Sequence, residues 1–211
     1  MKSTFSRALI LVFFPALLFP FLFFDKGYWV LWLNAQRTTS LDTLFIYITE
    51  LGNGFFIGAI ALVLLLFFKW RYFFELLIGF LIQAIPVVTF KQLIFKDAPR
   101  PFLFFNKNEA GILDLIIDYP IHSLHSFPSG HTATAFFIFG FLALQVRNKL
   151  VSVLFLILAF GVGVSRIYLL QHFFMDVYVG MCMGLIGVFL GRSITLRMPE
   201  KRWFSRVLIP L

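Results

Sequence analysis

Six long apolar blocks divide this chain: Ala8–Phe24, Gly54–Phe68, Tyr72–Phe90, Thr132–Val146, Leu150–Val164 and Phe173–Leu190. Crossing a bilayer as a helix takes about 20 mostly apolar residues, so blocks of this size predict transmembrane helices whose polar flanks complete the shorter ones. The links Lys69-Trp70-Arg71 and Arg147-Asn148-Lys149 are too short for anything but antiparallel neighbours. Two longer connections remain, Asp25–Asn53 and Lys91–Pro128. Within the first, Trp29 and Trp32 fit the headgroup layer. Leu44, Phe45, Ile48 and Leu51 recur at helical spacing and predict a short surface helix over Leu41–Leu51 leading into the second span. The expected fold is all-α: a six-helix transmembrane bundle, one integral membrane domain over residues 1–211.

Composition agrees with this pattern. Residues are 60% hydrophobic and 13% charged, with mean hydropathy +0.91, far from a soluble domain with a quarter of its residues charged. Cys182 stands alone, which leaves no disulfide framework and no cysteine-based metal site. The first block is bulky to its end and lacks a small-x-small cleavage site, so it is expected to be a retained helix rather than a signal peptide.

Six crossings place both termini on one side. Eleven Lys and Arg fall on that side and seven on the other, which puts the termini in the cytoplasm. The net charge of +8 therefore reports topology and contact with anionic lipid. The bases are spread over loop ends, a distribution that gives no support to nucleic-acid binding.

Ionisable residues inside or at the ends of membrane helices are costly and mark sites by default. Three clusters stand at helix ends on the outer face: 91–101 after the third block, Pro128-Ser129-Gly130-His131 before the fourth, and Ser165–Asp176 between the fifth and sixth. Ser129 can cap a helix whose free first-turn N–H groups suit an anion, and Gly130 permits close approach. Lys91, Arg100 and Arg166 supply cations, the guanidinium forks matching phosphate oxygens. His131 and His172 give two imidazoles, one able to attack phosphorus and the other to protonate the leaving oxygen. Spaced by four, His172 and Asp176 are expected on one helix face, the carboxylate fixing the imidazole tautomer. No cluster offers carboxylates to hold Mg²⁺, so no metal and no cofactor is expected. His122 and His125 are read as loop or headgroup residues. Asp114 and Asp118 are read as a solvated lid segment. Glu75 is expected to snorkel or pair with Arg71. Gly180, Gly184, Gly187 and Gly191 suit close helix contacts within one chain or between chains, which leaves the oligomeric state open.

The three clusters together resemble the tripartite signature of the type-2 phosphatidic acid phosphatase family, which also includes the vanadium haloperoxidases. Ser-Arg, five residues, His, three residues, Asp matches in full at Ser165–Asp176. Pro-Ser-Gly-His matches in full at 128–131. The first part, Lys, six residues, Arg-Pro, matches at Arg100-Pro101, with eight residues separating Lys91 from Arg100. The resemblance implies a metal-independent lipid phosphatase in which His172 forms a phosphohistidine, Asp176 polarises it and His131 protonates the leaving group. Lys91, Arg100, Ser129, Gly130 and Arg166 would hold the phosphoryl oxygens. The substrates it implies are phosphorylated membrane lipids: phosphatidic acid, phosphatidylglycerol phosphate, undecaprenyl diphosphate or lipid A phosphates. A phosphotransferase and a non-catalytic anionic-lipid binder or transporter are the alternatives. The small size suggests a bacterial inner-membrane protein with its site facing the periplasm.

Overall fold

A computed structural model describes residues 13–108, 111–117, 119–199 and 202–207. The start of the first apolar block, the bases before it and Asp118 lie outside the described residues. All regular structure among the described residues is helical. In chain order the helices are α1 (Phe13–Phe23), α2 (Tyr28–Asn34), α3 (Thr39–Glu50), α4 (Gly54–Phe67), α5 (Trp70–Thr89), α6 (Pro101–Asn108), α7 (Gly130–Gln145), α8 (Lys149–Tyr168) and α9 (Phe174–Arg197). A π-wound turn, Phe90–Ile94, prolongs α5, and a 3-10 turn, Arg202–Ser205, follows α9.

Local sequence sets the helix starts. Thr38, Asn53, Ser129 and Asn148 each accept a hydrogen bond from a first-turn N–H with their side chains, meeting donors that a helix start leaves without partners. By length and composition α5 with its π turn, α8 and α9 can each cross a membrane, and the bent pairs α1–α2 and α3–α4 raise the number to as many as five. α7 has 16 residues, about 24 Å at 1.5 Å per residue. It is buried on nearly all faces between α5, α8 and α9, so its uniform apolarity reflects a central helix rather than one facing lipid.

The segment expected to be a surface helix packs into the bundle instead. α3 lies along α8, with the Phe45 ring 4.5 Å from that of Tyr168 and the Tyr168 hydroxyl donating to Asp42 at 2.6 Å. A bend of 47° joins α3 to α4. At that corner Gly52 sits so close to α7 that a Cβ would lie 2.6 Å from the His131 carbonyl oxygen.

α9 uses its glycine stripe inside this chain. A Cβ on Gly180 would reach the Ser129 carbonyl, one on Gly184 the Ala133 carbonyl, and ones on Gly187 and Gly191 the backbone of Gly79 in α5. Overpacking of a close contact costs about 1–3 kcal/mol. Gly184→Ala is therefore expected to lower the thermal unfolding midpoint by several degrees, as a detergent melt will show. At the other end of the bundle Glu75 is 3% exposed. It does not snorkel; Arg71 one turn away acts on it electrostatically, while its hydrogen bonds come from Arg192 and from Gln145, both at 3.1 Å. An otherwise costly buried carboxylate thereby pins α5 to α9 and α7.

Candidate active site

The second and third sequence clusters are joined through their backbones. Ser129 N–H donates to the Asp176 carbonyl at 3.0 Å, tying the start of α7 to the first turn of α9. The Asp176 carboxylate accepts from Phe173 N–H at 3.0 Å and from the Ser126 hydroxyl. It lies 3.5 Å from His172 Nδ1. His172 does not share a helix with Asp176: it stands in the turn before α9, and the carboxylate folds back over the helix start to reach it. A carboxylate here also complements the positive end of the helix. Nδ1 is buried and makes no closer polar contact than this carboxylate; an ionised carboxylate at that side favours the tautomer with hydrogen on Nδ1 and the lone pair on Nε2.

The turn itself is built by Arg166. Its carbonyl accepts from both Gln171 N–H at 2.9 Å and His172 N–H at 3.1 Å. Leu170 adopts φ 56°, a left-handed conformation that costs a branched residue free energy and concentrates at functional sites. Arg166 lies in the last turn of α8 rather than in the connection after it. It is 5% exposed. Its Nη1 donates to Thr49 Oγ1 of α3 at 2.8 Å, and the Tyr119 hydroxyl meets its guanidinium. The buried Nε has no protein partner, a donor left for an incoming acceptor.

Arg100 is fixed as firmly. Its Nε donates to the Leu124 carbonyl at 2.8 Å, and Nη1 donates to Gln171 Oε1 at 2.6 Å. Burial, then the neighbouring Arg166, lowers its pKa to about 10, so it stays cationic at neutral pH. Lys91 occupies the π turn after α5. Turns of this kind recur at functional sites, and here the turn takes up part of the longer spacing to Arg100-Pro101. Lys91 interacts electrostatically with Arg100, Arg166 and Asp176. Three cations thus crowd together, an arrangement that repels itself and favours an anion.

His131 opens α7 half-buried and feels the charges of Arg166, Lys91 and Arg100. His172 is 1% exposed; burial lowers its pKa to about 3 against the opposing pull of Asp176, while Arg166 and Arg100 push the same way as burial. It is a neutral imidazole at pH 7, the form in which a ring nitrogen keeps a lone pair. Ser129 is fully buried, and its hydroxyl contacts Thr132 Oγ1 at 2.8 Å and Thr132 N–H. What this turn offers an anion is the free N–H groups of the helix start around Gly130.

Four contributors escape a reading of the sequence alone: Thr49, Tyr119, Ser126 and Gln171. Thr49 is 117 residues from Arg166 and carries no local signal. Gln171 and Ser126 do carry one, a polar residue against His172 and another two places before Pro128. Among the described residues no three His, Cys, Asp or Glu side chains group to hold a metal ion. A cavity of about 410 Å³ opens beside the site, with Lys26, Ser126, Phe173 and Asp176 in its wall. An apolar cavity of about 330 Å³ adjoins it, sharing Phe21, Trp29 and Phe174.

The family model of the PAP2 superfamily matches residues 72–201. The bacitracin transport permease protein BcrC of Bacillus licheniformis is 44% identical over 63 residues, 30% of this chain and 30% of that protein. Phosphatidylglycerophosphatase B of Bacillus subtilis is 36% identical over 77 residues, 32% of this chain and 38% of that protein. The chain thus spans about a third of the length of the curated relatives it matches. The crystal structure of Aquifex aeolicus LpxE superposes with TM-score 0.69 at 26% identity, over 81% of this chain and 97% of that one. That of the transmembrane PAP2-type phosphatidylglycerolphosphate phosphatase from Bacillus subtilis superposes with TM-score 0.63 over 96% and 100%; at 22% identity it is a likeness of fold.

Proposed function

The chain belongs to the PAP2 superfamily, and on that footing we propose that it hydrolyses a phosphomonoester or diphosphate on a membrane lipid through a phosphohistidine. The observation that carries this reading is the convergence at one place of a neutral, buried His172, a second imidazole at the start of α7, and Lys91, Arg100 and Arg166. A protein that only bound an anion would have use for the cations but not for a desolvated imidazole backed by a carboxylate.

The proposed sequence of events follows from the residues. His172 Nε2 attacks phosphorus and forms an N–P bond. The P–O bond breaks with its electron pair on the leaving oxygen, which takes a proton from His131. Neutral His131 then removes a proton from water as the water oxygen attacks phosphorus and the N–P bond breaks, which restores both rings. Lys91, Arg100, Arg166 and the N–H groups near Gly130 stabilise the charge spread over the equatorial oxygens. Asp176 stabilises the positive charge that develops on His172, and Ser126 holds the carboxylate in place.

Apolar walls beside the site support a lipid substrate, as does the relative named phosphatidylglycerophosphatase B. Six crossings are proposed, with each bent pair taken as one span and the shorter α7 as the sixth; three helices, or five with the bent pairs, are long and apolar enough by themselves. On the distribution of basic residues both termini face the cytoplasm of a bacterial cell, with the site at the outer rim of its inner membrane.

The test is release of inorganic phosphate by purified protein in detergent with EDTA, from a panel of lipid mono- and diphosphates. Turnover of at least one member is expected without added metal. Tight binding of these lipids with no phosphate released would favour a binder or transporter, and release only when a second alcohol is supplied would favour a transferase.

A further inference from the structure

Gln171 precedes His172 in the chain and is 1% exposed, although glutamine is mostly a surface residue and this one takes no part in the chemistry above. A buried amide must have its polar atoms met. Its oxygen accepts from Arg100 Nη1 at 2.6 Å. Its nitrogen donates to the Pro120 carbonyl, in the connection before α7, at 3.0 Å and to the Leu169 carbonyl at 3.3 Å. A guanidinium can only donate and a carbonyl can only accept, so these partners fix which end of the amide is which. The backbone of the same residue is engaged on both sides. Its N–H donates to the Arg166 carbonyl at 2.9 Å, and its carbonyl accepts from Arg100 Nη1 at 3.2 Å.

These bonds decide how Arg100 presents itself. The hydrogen on Nε goes to the Leu124 carbonyl. The two on Nη1 go to Gln171, one to each of its oxygens. Nη2 has no protein partner among the described residues, so it keeps both hydrogens for an incoming anion. Arg166 and Arg100 carry like charges, and the repulsion between them works against a fixed geometry. Gln171 opposes it with two neutral acceptors. A carboxylate in the same place would also hold Arg100, but it would cancel the charge that an anion needs.

We propose that Gln171 is a positioning residue: it holds Nη1 of Arg100 so that Nη2 is the donor offered to the phosphoryl group, and it does so without neutralising the cation. This rests on the phosphatase reading and adds to it the group that aims Arg100.

The experiment reads the inhibition constant of inorganic phosphate against turnover of a lipid monophosphate, a constant that does not depend on how much of a preparation is folded. Gln171→Met keeps the length of the side chain and removes the acceptor. It is expected to raise the constant about tenfold, as for loss of a hydrogen bond to a charged group. Gln171→Glu keeps an acceptor and nearly the same shape, and it is expected to raise the constant at least as much, because its charge offsets that of Arg100 and repels the anion. It decides the matter alone if methionine is not tolerated. A glutamine that acts through Arg100 has little left to do without it. In an Arg100→Ala background, Gln171→Met is therefore expected to change the constant by less than about twofold. A residue that merely shapes the turn would cost the same factor in both backgrounds, and that result overturns the proposal. So does a constant unchanged in Gln171→Met, or a Gln171→Glu variant that binds phosphate as well as wild type. A wild type that hydrolyses no lipid phosphate would bring down the phosphatase reading itself, an outcome distinct from any of these.

Discussion

His172→Ala is expected to lower phosphate release from a lipid phosphate by about four orders of magnitude or more, with substrate binding largely kept. The size is the one expected for removing the proposed nucleophile, whose loss cannot be shared out among its partners. The side chain is fully buried and neutral, and Asp176 faces its Nδ1, so neither water nor a neighbouring group can take its place in the same geometry. Three cations stay behind in the variant and are expected to go on holding the anion. A substrate-displacement assay should therefore show affinity within a few-fold of wild type while turnover vanishes. Activity reduced by less than about a hundredfold would mean that another group attacks phosphorus.

Arg166→Lys is expected to cost about 10²–10³ in kcat/KM, although it keeps the charge. A guanidinium serves several partners at once in a fixed plane and an ammonium does not. Arg166 donates to Thr49, meets Tyr119 and retains a buried Nε without a protein partner. Lysine would give up the planar fork on which those contacts depend. Thr49→Val separates positioning from charge: it removes only the donor's anchor on α3 and should cost roughly tenfold, as seen in kcat/KM for a lipid monophosphate. Comparable losses for the two variants would show that the fork carries no special weight.

Much of this site is legible along the chain because its parts are local. Pro128–His131 predicts a capped helix start, and Ser129 does cap α7. Ser165–Asp176 predicts a cation, an imidazole and a carboxylate within one turn region, and the Arg166 carbonyl does gather that turn. The apolar blocks locate the helices, since a run of this kind has little else to form in a bilayer.

The misread features are long-range or depend on tertiary context. Leu41–Leu51 has an amphipathic spacing equally suited to a membrane surface and to a neighbouring helix; only the presence of α8, with Arg166 seeking a partner, decides for packing. The four-residue spacing of His172 and Asp176 matches a helix face, but Leu170 at φ 56° ends the preceding helix and leaves the imidazole in a turn. Glu75 chose Arg192, 117 positions away, over Arg71 within its own helix. The glycines of α9 announce close contact without saying with what; α7 and α5 supply the answer.

The measurement that bears most directly on the central claim is chemical trapping of the intermediate. Protein mixed with a lipid substrate labelled at its terminal phosphorus and quenched within milliseconds should carry label that survives alkali, is released by acid and maps to residue 172. Label on any other side chain, or steady turnover with no covalent label at any time, would contradict it.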